Sequence, residues 1–194
     1  QVGDDLATGR KGVLAMHGVI FLELRKFVGA RLGEGAWDDL IRQSGLGASI
    51  YLAAKDYPDA EAHKLVEAAC SVSGRSSGEL LEDFGEFVVP DLLQFYGSQL
   101  DPAWKTLDVI ENTEETIHKV VRRRNPGVKP PELRCERPSP DEVVVRYTSA
   151  RRMCALAKGI CTGLAVYFGE RIAISESACM LAGAPECRIS VRRL

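Results

Sequence analysis

No stretch of this 194-residue chain approaches the roughly 20 consecutive apolar residues that a membrane-spanning helix needs, and no signal-peptide pattern opens it. A cytoplasmic protein with no membrane contact is the expectation. Charge of either sign is also scarce in the balance: 25 basic against 27 acidic residues leave -2, so a global basic surface for nucleic acid is lacking. Six cysteines are too few for a disulfide-dense secreted scaffold. No internal repeat and no long linker divides the chain. Nor does any motif bring together a nucleophile, a base and an oxyanion-stabilising group, which speaks against an enzyme. What is present is ordinary globular composition, 45% hydrophobic and 27% charged, sufficient for one sizeable core.

Residues 1–15 (QVGDDLATGRKGVLA) are polar and glycine-rich, and they read as a leader or appended remnant before a domain spanning 16–194. From His17 onward, Val19, Ile20, Leu24, Phe27, Val28 and Leu32 recur at helical spacing, and Gly33 stops the pattern. Shorter helices are predicted over Trp37–Arg42, Ala60–Ser71 and Gly78–Val88, broken by Gly45, Gly74 and Pro90. Pro102 to Arg124 reads as one long helix, acidic in its first half and closed by Arg122, Arg123 and Arg124, the charge order that suits the helix dipole. That arginine cluster is a solvated helix end or a contact for an acidic partner. Beyond NPGVKPP the pattern changes to a hairpin, Leu133–Arg137 and EVVVRYTS around the turn Ser139-Pro140-Asp141. A helix over Ala150–Phe168 follows, then two strands, Arg171–Ser177 and Arg188–Arg192, about the turn AGAPE. Helices first and then ββαββ predict an α+β fold with an antiparallel sheet in the C-terminal half.

Chemistry gathers in a few places. Side chains at i and i+2 of a strand share a face, so Tyr147 and Ser149 project together, with Arg151 next in step where the strand gives way to helix. Two hydroxyls and a planar guanidinium form a clamp for a carboxylate, although polar residues on a solvent face give the same pattern. His118 lies beside Ile117, with Val120 and Val121 on the next turn. A lone histidine in such a setting is usually a satisfied core residue. His63, in DAEAHK, is expected at the surface, and His17 reads as a cap or surface group.

In order and spacing these pieces resemble the H-NOX (heme nitric oxide/oxygen binding) domain family: MHGVI at the start, IHKVV with its histidine, KPP, and YTSAR beyond the hairpin, over about Met16 to Arg193. The resemblance implies heme b as cofactor, with His118 as the iron ligand and Tyr147, Ser149 and Arg151 holding the heme carboxylates. It implies Pro131 as the proline pressing on the porphyrin, and Ile20, Leu24, Val88, Leu92, Leu156 and Ile160 around the distal face. Oxygen-binding members place a tyrosine there, whereas this chain has Leu24, Val88 and Leu156 at the matching positions. Bound dioxygen benefits from a buried hydrogen-bond donor, and NO and CO bind ferrous heme well without one. The implied function is a gas sensor that binds NO and CO at a five-coordinate ferrous heme and discriminates against O2. By the same resemblance NO weakens the opposite bond, releases His118 and shifts the helical half against the sheet half, which informs a partner protein or fused effector domain.

Some members of the family also carry a four-cysteine zinc site, and three of its positions match Cys154, Cys179 and Cys187. The fourth is Glu176, with Cys161 or Cys135 as substitutes. Zinc, a redox-active thiol pair and inert buried cysteines all stay open at this point. Two rival functions are a heme-free module that binds a small apolar molecule or lipid in the same cavity, and a zinc or thiol redox switch.

Overall fold

The computed structural model describes residues 15–47 and 50–194. Its elements run β1 (Ala15–His17), α1 (Gly18–Leu32), α2 (Ala36–Ser44), β2 (Asp56–Pro58), α3 (Asp59–Ser73), α4 (Ser77–Tyr96) and α5 (Thr106–Asn112). A π-helical turn over Glu114–His118 leads into α6 (Lys119–Arg124), followed by β3 (Glu132–Ser139), β4 (Glu142–Thr148), α7 (Cys154–Phe168), β5 (Ile172–Ala178) and β6 (Cys187–Arg193). Helices thus fill the N-terminal half. The C-terminal half forms a four-stranded antiparallel sheet in the order β3-β4-β6-β5. Among the described residues no helix is long and apolar enough to cross a membrane.

Two hydrophobic clusters follow from this split. Phe21, Phe27, Val28, Leu40, Leu65 and Phe84 close the helical cluster. Leu107, Ile110, Val143, Val145, Leu164, Ile189 and Val191 close the second, between α5, α7 and one face of the sheet. Strand alternation explains the latter, because Val143, Val145 and Tyr147 on β4 all turn inward. The two halves meet where α4 crosses α7. A Cβ at Gly159 would strike the Glu82 carbonyl, and one at Gly163 would lie 2.8 Å from the Glu86 carbonyl, so the two helix backbones touch directly.

Several expected boundaries move. Helix α4, opened by a capping box between Ser76 and Glu79, continues through Pro90 to Tyr96 instead of stopping before it. Proline in a helix interior costs about 3 kcal/mol, and burial of Val88 and Val89 against both clusters outweighs that cost. The long helix expected from Pro102 starts only at Thr106, because Asp101 turns the chain by accepting the Ala103 N–H at 2.8 Å. The Glu170 carboxylate then caps the Thr106 N–H at 3.0 Å. Helix α7 begins at Cys154 and not at Ala150, since Arg152 adopts a left-handed φ of 53° that no helix continues through. The β1–β2 ribbon, pairing Met16 with Tyr57, was not expected at all. Ala15 belongs to it, and residues 1–14 of the expected leader lie outside the described residues.

Candidate functional site

Between the two halves lies a cavity of about 210 Å³, walled by the start of α1, the end of α4, the π turn and α6, the Pro130-Pro131 step, the end of β4 and the start of α7. His118, Pro131, Tyr147, Ser149 and Arg151 all line it. So do Ile20, Leu92, Leu156 and Ile160. Leu24 and Val88, expected beside them, are not on this wall; both are buried in the helical cluster, and Leu24 faces a separate hollow between α1, α3 and α4.

His118 is 14% exposed at its side chain and sits at the end of the π turn. Its Nδ1 lies 3.0 Å from Glu114 Oε2. A carboxylate accepts only, so Nδ1 is the donor of this contact, and in the neutral imidazole the lone pair then sits on Nε2. Glu114 is itself held firmly: Oε2 accepts the Leu133 N–H at 3.1 Å, and Oε1 pairs with Arg122 at 2.6 Å. Burial alone would raise its carboxyl, yet the hydrogen bonds from His118, Arg122 and Leu133 hold it below the ordinary glutamate value.

Tyr147, Ser149 and Arg151 are brought together on the wall of the same cavity. Tyr147 is buried, and burial pushes its phenol up, against hydrogen bonds to Ser149 and the Met153 backbone that act in the opposite direction. Ser149 Oγ accepts the Arg151 backbone N–H at 3.2 Å, which shapes the turn before α7. The Arg151 guanidinium donates to the Lys129 carbonyl at 2.6 Å and to the Ala15 carbonyl at 2.7 Å. Its Nε faces Asp59 Oδ2 at 2.8 Å as an ion pair without hydrogen-bond alignment, so Nε and both Asp59 oxygens are buried without a hydrogen-bond partner.

Five groups were not assigned to this site from the sequence. Asp59 and the Ala15 carbonyl reach Arg151 only through the fold. His17 and Tyr96 line the cavity, and burial raises the Tyr96 phenol above its usual value. Glu114 was overlooked although its signal was local, four residues before His118 on a helical segment.

Does this cavity suit a heme? An imidazole whose Nδ1 is engaged by a carboxylate, a mainly apolar slot, and a buried cation with two hydroxyls are the parts that iron, porphyrin and carboxylates require. Arg151 retains terminal N–H donors beyond those spent on the Lys129 and Ala15 carbonyls. The residues fit the group.

A second cluster joins the start of α7 to β5 and β6. Ligand atoms of Cys154, Glu176, Cys179 and Cys187 all fall within 4.8 Å of one another. The sulfurs of Cys154 and Cys179 are 3.7 Å apart and those of Cys187 and Cys179 are 3.9 Å apart. Glu176 Oε1 is buried there without a hydrogen-bond partner, while Oε2 lies 3.4 Å from Lys158. Burial raises the Cys154 thiol and pushes Cys187 up to about 12, the reverse of a reactive thiol. Cys161 and Cys135 stay out of the cluster: Cys161 packs in the sheet-side core, and the Cys135 thiol faces the Ile110 carbonyl at 3.7 Å.

A family profile described as Haem-NO-binding matches residues 17–176. The soluble guanylate cyclase gcy-31 of Caenorhabditis elegans is 26% identical over 138 residues, which are 71% of this chain and 20% of that protein. The chain therefore spans about a fifth of the length of this curated relative. Among solved structures, an H-NOX protein from S. oneidensis in the Fe(II)NO ligation state superposes with a TM-score of 0.86 at 24% identity, covering 92% of this chain and 99% of that one. The Fe(II) unliganded H-NOX protein from K. algicida gives 0.83 at 22% identity, covering 92% and 97%. At these identities the likeness establishes the fold, helices followed by an antiparallel sheet.

Proposed function

The chain belongs to the Haem-NO-binding family, a family of sensors and not of catalysts, and from that premise we propose that it binds NO and CO at a ferrous heme held by His118 and discriminates against O2. The observation that carries the reading is that His118, its Nδ1 hydrogen-bonded to Glu114, shares one cavity with Tyr147, Ser149 and Arg151. Heme b, when bound, would supply an iron able to take a diatomic gas. His118 offers the Nε2 lone pair. Arg151 gives the carboxylates a charge-assisted contact, and Tyr147 and Ser149 fix their position. Pro131, on the cavity wall, would pack against the ring, and the apolar wall would keep water out. A hydrocarbon ligand would need neither the imidazole nor the buried cation, which disfavours the heme-free lipid module.

In this reading ligand binding shifts the helical half against the sheet half, and the close backbone contact of α4 with α7 is where the two halves would move past one another. The signal is read by a partner protein or a fused effector domain.

Selectivity has a direct test. Ile20, Leu92, Leu156 and Ile160 offer no hydrogen-bond donor, so the reduced protein is expected to give NO and CO spectra but no stable oxy spectrum in air. Leu156→Tyr is expected to raise oxygen affinity about fivefold, the equivalent of about 1 kcal/mol from one neutral hydrogen bond. A stable oxy spectrum in the unmodified protein, abolished by Tyr96→Phe or by His17→Leu, would identify the donor and end the NO-selective reading.

The sulfur cluster favours a second, independent cofactor. Zinc with ligands at about 2.3 Å in tetrahedral geometry spaces its sulfurs about 3.8 Å apart, close to the two separations found here. A cation would also satisfy Glu176 Oε1. Elemental analysis of protein purified without chelator is expected to find about one zinc per chain. Cys187→Ser should lose it and keep the heme spectrum. A metal-free protein with titratable thiols would leave a redox pair or inert cysteines instead.

A further inference from the structure

We propose that Glu114 is the positioning residue that sets the strength of the His118 bond to the cofactor iron. The inference rests on the heme reading of His118 given above. The π turn stacks Glu114 and His118 at i and i+4, with Nδ1 and Oε2 3.0 Å apart. Two further anchors, the Leu133 N–H and the Arg122 guanidinium, keep the carboxylate in place. The side chains of His118 and Glu114 are only 14% and 23% exposed, so water screens the contact little. Neighbouring Glu115 is 77% exposed and pairs with Lys119, which shows that the contact does not follow simply from an acidic segment.

A carboxylate that accepts the second ring proton of a ligating histidine fixes its tautomer and orientation and makes the ligating nitrogen a stronger donor. Glu114 therefore strengthens the bond that NO must weaken. Leu133 also lies on β3, the sheet's edge strand, directly beyond Pro131. The same carboxylate thus ties the imidazole to the sheet, and His118 cannot leave its place without disturbing a group that anchors β3.

The test uses the whole heme-loaded chain in its Fe(II) form, read by the resonance Raman iron–histidine stretching band. Glu114→Gln keeps the shape and one acceptor oxygen but removes the charge. It is expected to move the band to lower frequency, raise the midpoint potential of the iron, and speed heme loss to a heme-free acceptor protein by about 10–100-fold, the range for such outer partners. Glu115→Gln should leave all three unchanged. An unmoved band in folded Glu114→Gln protein overturns the proposal while His118 stays the ligand. If that variant folds poorly, nitrogen NMR of His118 in the heme-free wild type decides: the Nδ1-protonated tautomer is expected, and the Nε2-protonated one overturns the proposal. Absence of any iron–histidine band in the wild type overturns the ligand assignment itself, and this inference with it.

Discussion

A His118→Gly variant is expected to lose heme on purification and to regain it only when free imidazole is supplied, with occupancy falling by more than the roughly 10–100-fold that outer partners of a metal ligand control. The expectation rests on the lone pair at Nε2, which the contact between Nδ1 and Glu114 leaves free. Two controls sharpen it. His63 is exposed on α3, so His63→Gly should retain heme fully. His17 is the more demanding control, because it lines the same cavity and carries its own imidazole. Heme retained in His118→Gly but lost in His17→Gly would transfer the ligand role to His17. Equal retention in all three would remove histidine ligation altogether. Absorption spectra of the reduced proteins, with and without imidazole, separate these outcomes.

The second large effect is expected at Arg151. Its side chain is 9% exposed and that of its partner Asp59 is 10% exposed, so Arg151→Ala strands a buried carboxylate. Removing one partner of a buried ion pair costs about 3–5 kcal/mol. For a chain of this size that corresponds to a fall in Tm on the order of 10 °C. The Lys129 and Ala15 carbonyls lose their donor as well. Ser149→Ala removes one neutral acceptor and should cost about 1 kcal/mol. Heme retention should fall in the same order, Arg151→Ala well below Ser149→Ala. Thermal melts of the heme-free proteins separate the two contributions. The double variant Arg151→Ala, Asp59→Asn should recover part of the stability, since no charge is then stranded, and none of the heme retention. Equal heme loss in the Arg151 and Ser149 variants would show that the guanidinium holds no carboxylate. Full recovery of heme in the double variant would assign Arg151 to Asp59 alone.

Much of this site was legible because its parts obey local periodicities. A strand's period of two brings Tyr147 and Ser149 to one face, and the β-branched run around them marks that strand. Glu114 and His118 follow a helical period and were equally legible. The offsets at Pro90, Pro102 and Ala150 have a common origin, because propensity places a helix end where the chain alone would break. Packing against α7, capping by Glu170 and the left-handed turn at Arg152 decided otherwise.

By itself, then, the sequence determined which chemistries were present and which of them lay on one strand or one helical turn, because those relations depend only on backbone geometry over a few residues. The tertiary structure decided what lies across from them. Asp59 reaches Arg151, the Ala15 carbonyl reaches the same guanidinium, and Glu176 meets three sulfurs only after distant elements are brought together. The sequence also could not assign apolar residues to one wall or another. Ile20 and Leu24 lie on the same helix at i and i+4 and are both apolar, yet Ile20 lines the cavity while Leu24 faces the hollow against α4. Periodicity identifies the buried face of a helix, but when that face is broad enough to border two compartments, only the packing of its neighbours decides which residue looks into which.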